Sequence, residues 1–169
     1  VWSFPAKIRI LEVTSMKQYF LGIEFGSTRI KAVLLDEKHA IVKSGDYTWK
    51  SSLENGVWTY HMEDVQEGLR TAIRNLGELP GKISAMGVSG MMHGYLAFDK
   101  DWNLLAPFRT WQTTMTGEAA DKLTEAFGFN IPQRWSAAHL YQAVLNGEPH
   151  VKNIAHVTKI GRASCRERV

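Results

Sequence analysis

The stretch LGIEFGSTRIKAVLLD, Leu21 to Asp36, sets a carboxylate, a glycine, two hydroxyls and an arginine between two apolar runs. A plain turn needs none of those polar groups. In a tight hairpin the backbone N–H groups of Gly26–Thr28 point outward, and the Ser27 and Thr28 hydroxyls add further donors. Together they can cradle a phosphate. Glu24 supplies a carboxylate able to hold a magnesium ion, directly or through water. The P-loop alternative is not met, because the glycine turn leads into a second strand and no Gly-Lys-Ser follows. Further along, His93 lies in SGMMHGY, at a strand end where a glycine lets a ligand come close. Its imidazole can donate or accept a hydrogen bond; an ordinary half-buried histidine is the other reading. Trp58 and Trp111 offer faces for stacking, although tryptophans also pack into cores. His39, His61, His139, His150 and His156 have no comparable surroundings and are expected to be solvated.

These residues must be positioned by the elements around them. YFLGIEF (19–25), IKAVLLD (30–36) and AIVKSGDYTW (40–49) are rich in β-formers and separated by two- to five-residue breaks, which predicts an antiparallel meander. SSLENG (51–56) reads as a loop. From Met62 the period changes: Val65, Leu69, Ala72, Ile73 and Leu76 fall at helical spacing, with Glu63, Asp64 and Glu67 early, where the helix dipole favours anions. That helix should stop near Gly77 and Pro80. Residues 83–90 and 93–99 read as two more strands, and 117–127 and 137–146 as helices. The expectation is an α/β fold with a mixed five-stranded sheet and flanking helices.

The bulk numbers exclude several classes. The chain has 169 residues, of which 44% are hydrophobic and 22% charged, an ordinary globular composition long enough for one core. No apolar run approaches the ~20 residues of a membrane span, and the N-terminus lacks an apolar signal-peptide segment. A cytoplasmic protein with no membrane partner is expected. The net charge of +3 comes from the ends; residues 16–159 carry 15 positive and 15 negative side chains. Charge therefore gives no support to a nucleic-acid partner. The single cysteine, Cys165, lies in the tail, so residues 16–159 contain no thiolate site. The tail IGRASCRERV, 160–169, resembles a translated sequencing adapter. Residues 1–15 read as an upstream extension before Met16.

The motifs, taken in order, resemble those of the FGGY carbohydrate kinases, within the actin-like sugar-kinase superfamily. GIEFGSTRIKAVLLD is similar to that family's G-I-D-x-G-T-[ST]-x-x-[KR] phosphate motif. GVWTYHMEDVQEGL resembles its P-G-W-x-E-x-D-P segment, and ISAMGVSGMMHGYLAFDKDWNLLAPFRTWQTT resembles the strand and W-x-D-x-R loop of xylulokinases. The resemblance covers residues 17–159. It implies a ribonuclease-H-like domain, the N-terminal part of a two-domain enzyme that holds ATP, Mg2+ and a small sugar in its cleft. By that likeness Gly26, Ser27, Thr28 and Arg29 meet the nucleotide phosphates, Glu24 serves the metal, and Met92, His93 and Trp111 face the sugar. The base aspartate is expected downstream of this chain, so the chain alone should be inactive. A homodimer is an open expectation for the full-length protein.

Departures from the family pattern stand at Glu24, Met91, Thr113 and Met115. Glu24 stands where the family has Asp. Met91 replaces the glutamine of Gln-Met-His-Gly, and Trp111-Gln112-Thr113-Thr114-Met115 lacks the acid and base of W-x-D-x-R. The reading is ATP-dependent phosphorylation of a ketopentose such as xylulose, or of a related polyol. A non-catalytic sugar or nucleotide sensor on the same fold is the alternative.

Overall fold

The computed structural model describes residues 17–160. The extension at 1–15 and all of the expected tail except Ile160 lie outside them. Strands β1 (Gln18–Phe25), β2 (Arg29–Leu35) and β3 (Ile41–Thr48) form the expected antiparallel meander. Alternation decides what they bury: Tyr19, Leu21 and Ile23 of β1 and Ile30, Ala32 and Leu34 of β2 point into the core. The register sets Ile23 beside Ala32 and Glu24 beside Lys31, so the charged pair falls on the opposite face.

The segment expected as a loop folds instead into a small hairpin, β4 (Ser52–Glu54) and β5 (Val57–Thr59). Asn55 and Gly56 sit between them, both with positive φ, the Asn-Gly turn that matches strand twist. Helix α1 (Met62–Arg74) follows, with Glu63 and Asp64 in its first turn and Arg74 in its last. It lies directly on the meander. A Cβ at Gly45 of β3 would come within 2.2 Å of the Ala72 carbonyl oxygen, so this approach requires glycine.

Strand β6 (Lys82–Gly90) returns parallel to β1 and completes a four-stranded sheet of order β3-β2-β1-β6. Among the described residues the sheet has four strands, not five. The segment expected to supply the fifth yields only β7 (Leu96–Phe98), which pairs antiparallel with β8 (His156–Thr158) in a separate ribbon. The cause is local: Gly94, at φ 129°, turns the chain after β6, and Tyr95 then bridges to Arg109 instead of to a sheet strand. Helices α2 (Gly117–Phe127) and α3 (Ser136–Leu145) pack on each other around Ala120, Ile131 and Ala138. A 3-10 turn at Pro149–Asn153 leads into β8. The main core joins the sheet and α1 to Trp49, Tyr60, Leu96 and Phe108, and Ile160 packs against it. Among the described residues no helix is long and apolar enough to cross a membrane.

Candidate active site

The turn between β1 and β2 closes through Gly26 N–H donating to the Arg29 carbonyl at 2.9 Å. A Cβ on Gly26 would lie 3.0 Å from that oxygen, so a side chain there would press on the turn. The following carbonyls are taken by two buried aromatic residues. Trp49 Nε1–H donates to the Gly26 carbonyl at 2.8 Å, and the Tyr60 hydroxyl donates to the Ser27 carbonyl at 2.6 Å. The backbone N–H of Trp49 reaches the Thr28 carbonyl at 3.2 Å. The two rings stack with centroids 4.3 Å apart. Burial raises the Tyr60 phenol above its ordinary value, so it remains a proton donor at neutral pH.

The sequence suggested three outward N–H groups at this turn, but that of Gly26 is consumed in closing the hairpin. Ser27 and Thr28 are exposed, and their N–H groups and hydroxyls have no protein partner among the described residues. Arg29 is exposed and pairs with Asp46 at 3.2 Å. Glu24 is half-exposed and pairs with Lys31 at 3.1 Å. Its carboxylate lines a groove of about 460 Å³ over Gly22 and Gly87, on the sheet face turned away from the core.

A cleft of about 450 Å³ runs beside the turn, walled by Ser27, Thr28, Trp49, Lys50, Ser51, Trp58, Tyr60, Trp111 and Gln112. Ser27 and Thr28 are thus brought together with Trp111, which is 45% exposed. The Trp111 loop is held against β5: Thr110 N–H donates to the Trp58 carbonyl at 2.9 Å, and the Thr113 hydroxyl accepts from Trp58 N–H at 3.2 Å. Thr113, at the place of the family's acid, is therefore buried and serves the backbone. Ser51 and Gln112 join across the cleft at 3.0 Å.

Gly26, Arg29, Glu24, Met92 and His93 are not among the walls of this cleft. Met91 N–H donates to the Phe25 carbonyl at 3.1 Å, carrying the β1–β6 ladder one step past the strands. Met92 and His93 therefore leave the sheet beside the β1–β2 turn, at the carboxyl ends of two parallel strands, where open α/β sheets bind ligands. Met92 is exposed and His93 half-buried. Burial first, then the charges of Arg134 and Lys159, lowers the His93 pKa, so its ring is neutral at pH 7.

Sequence reasoning missed Trp49 and Tyr60. Trp49 had a legible signal, since it stands one residue past Thr48, the partner of Arg29, and so beside Thr28. It also missed a buried polar cluster behind the Trp111 loop. Tyr95 and Arg109 exchange backbone hydrogen bonds at 2.8 and 3.1 Å. The Arg109 guanidinium, 5.3 Å from the Tyr95 ring centre, pairs with Glu148. The Tyr95 hydroxyl lies 2.8 Å from His150 Nε2, and His139 stacks on the Tyr95 ring at 6.2 Å. His139 is fully buried and His150 nearly so, which corrects the expectation that both are solvated. His156, partly buried, stacks on Trp102 at 4.2 Å.

Among the described residues no three or more His, Cys, Asp or Glu side chains gather as a metal site. A single carboxylate such as Glu24 fits Mg2+ carried on nucleotide phosphates, because Mg2+ keeps several waters and needs only one or two protein carboxylates.

The N-terminal domain model of the FGGY family of carbohydrate kinases matches residues 19–140. The chain is 25% identical over 118 residues to a glycerol kinase of Thermococcus gammatolerans, covering 67% of the chain and 24% of that protein. It is also 25% identical over 118 residues to a xylulose kinase of Lactococcus lactis, covering 65% of the chain and 23% of that protein. The crystal structure of a xyloylose kinase from Brucella ovis superposes with a TM-score of 0.74 at 22% identity, over 83% of this chain and 32% of that one. The last likeness shows the shared actin-like fold. The chain spans about a quarter of the length of the curated relatives it matches. On a family match over most of its length, the chain belongs to the FGGY family of carbohydrate kinases.

Proposed function

We propose that the full-length protein transfers the terminal phosphoryl group of ATP to a hydroxyl of a small sugar or polyol, with a ketopentose such as xylulose as the leading substrate. The observation that carries this reading is the single cleft that holds both Ser27–Thr28 and Trp111. Phosphoryl transfer asks little covalent chemistry of a protein; it needs phosphates held in place and an aligned hydroxyl. Ser27 and Thr28 offer N–H and O–H donors to the phosphates, Trp111 offers a stacking face for the sugar, and the nucleotide supplies the group transferred. His93, neutral and at a strand end, donates to or accepts from a substrate hydroxyl. Glu24 serves the metal and must exchange its Lys31 partner to do so. The reading is tested by assaying the full-length protein with xylulose, ribulose and glycerol. Sugar-dependent ADP release supports it. Tight sugar binding without turnover would instead favour the sensor.

Two variants of the full-length protein probe the roles. His93→Ala removes one hydrogen bond to a neutral group and leaves a buried hydroxyl unpaired, at a cost of ~1–3 kcal/mol. The kcat/KM for the sugar should fall roughly 10- to 100-fold while KM for ATP stays within about threefold. A shift in the ATP constant alone would place His93 with the nucleotide. Glu24→Gln should lower kcat by ~10²-fold, the scale of losing one preorganised electrostatic partner. Unchanged kcat at saturating magnesium would remove Glu24 from the metal.

A further inference from the structure

We propose that Tyr60 and Trp49 are positioning residues for the phosphate turn, setting the direction and strength of the donors that Ser27 and Thr28 present to a nucleotide phosphate. The inference rests on the kinase reading and assigns a role to two residues for which the sequence motifs implied none.

The argument starts from the planar trans peptide. In each peptide unit the C=O and the N–H point in opposite directions. The Gly26 carbonyl shares its plane with Ser27 N–H, and the Ser27 carbonyl shares its plane with Thr28 N–H. Trp49 Nε1–H holds the first carbonyl at 2.8 Å and the Tyr60 hydroxyl holds the second at 2.6 Å. Fixing both carbonyls on the aromatic donors therefore aims both N–H groups away from them. An accepted hydrogen bond also polarises its peptide unit and strengthens the N–H as a donor. The clamp is rigid: both side chains are under 5% exposed and stack at 4.3 Å, and Tyr60 leans on Phe108 of the main core.

The clamp also adjoins the wall of the cleft that carries Trp111. Tyr60 directly follows β5, whose Trp58 carries the hydrogen bonds of the Trp111 loop. Ser27, Trp49, Tyr60 and Trp111 all wall the same space.

The test uses the full-length protein and Tyr60→Phe, which keeps the ring and its stack but removes the donor. Affinity for a non-hydrolysable ATP analogue, measured by calorimetry, should weaken about three- to tenfold, the scale of one hydrogen bond. Sugar KM should stay within about twofold, and hydrogen exchange should rise at residues 26–29 but not in α1. Trp49→Phe should reproduce the pattern through the other carbonyl. If exchange rises and nucleotide affinity holds within twofold in both variants, the clamp is merely structural and the inference is wrong. A wild-type protein that binds no nucleotide removes the kinase reading and the inference with it. Wild-type binding matched by both variants removes the inference alone.

Discussion

Glu148→Ala should destabilise the protein by about 3–5 kcal/mol, the usual cost of leaving one member of a buried ion pair without its partner. Arg109 is 4% exposed, and among the described residues Glu148 is the only protein acceptor its guanidinium has; Nε and Nη1 are without one. A buried cation stripped of its carboxylate keeps only the face of the Tyr95 ring, which is worth much less than the lost pair. The damage would spread to the site. Arg109 exchanges two backbone hydrogen bonds with Tyr95, so the same unit carries His93 two residues before Tyr95 and Trp111 two residues after Arg109. Urea unfolding of the single variants and of the Arg109→Met, Glu148→Ala pair measures the effect. The double variant should recover part of the loss, because it buries no unpaired charge. A Glu148→Ala cost below about 1 kcal/mol would mean that the pair is solvated and contributes as a surface pair does.

The second large effect is a loss of stability in acid through His139. This imidazole is fully buried, neither ring nitrogen has a hydrogen bond among the described residues, and burial, helped by the Arg109 charge and opposed by Glu148, pulls its pKa down to about 4. In the unfolded chain the value returns to about 6.5. Between those two values the unfolded state binds a proton that the folded state refuses. Stability is therefore complete above about pH 6.5 and declines as the pH falls toward 4. His139→Leu separates this contribution from the carboxylates and from His150, whose pKa is also lowered by burial. Since the His139 ring makes no hydrogen bond among the described residues, the leucine should cost little at pH 7. The wild type should lose roughly 2–3 kcal/mol relative to the variant between pH 7 and pH 4.5. An equal gap between the two proteins at both pH values would show that His139 is hydrated and titrates normally. Because His139 and Arg109 both touch Tyr95, this variant and Glu148→Ala should not be additive.

The local order of the chain was readable from its sequence. Helix α2 was legible at residues 117–127, and the meander followed from alternation broken by short polar connections. Both signals are short-range, a period of 3.6 or of 2 with turn residues between them. The turn between β1 and β2 was legible for the same reason, since a Gly-Ser-Thr corner between two strands has few geometries. Its donors were not fully legible. Whether Gly26 N–H is free depends on how the hairpin closes, and the Arg29 carbonyl takes it.

What only the tertiary structure decided involves partners distant in the chain. β7 reads as a sheet strand from its residues, yet it pairs with β8 some 60 residues later, because Gly94 and the Tyr95–Arg109 bridge carry it away from the sheet. Tyr60 and Trp49 carry no motif that links them to Ser27 and Gly26, and packing alone puts their donors on those carbonyls. Arg109, Glu148, His139 and His150 look like ordinary polar residues until the fold removes water from around them. Burial then makes a close ion pair of Arg109 and Glu148 and holds His139 neutral, and stability depends on both. A sequence specifies which groups are present and which neighbours share a face. The dielectric around a group, and the partner it meets across the fold, are set by the packing of the whole chain.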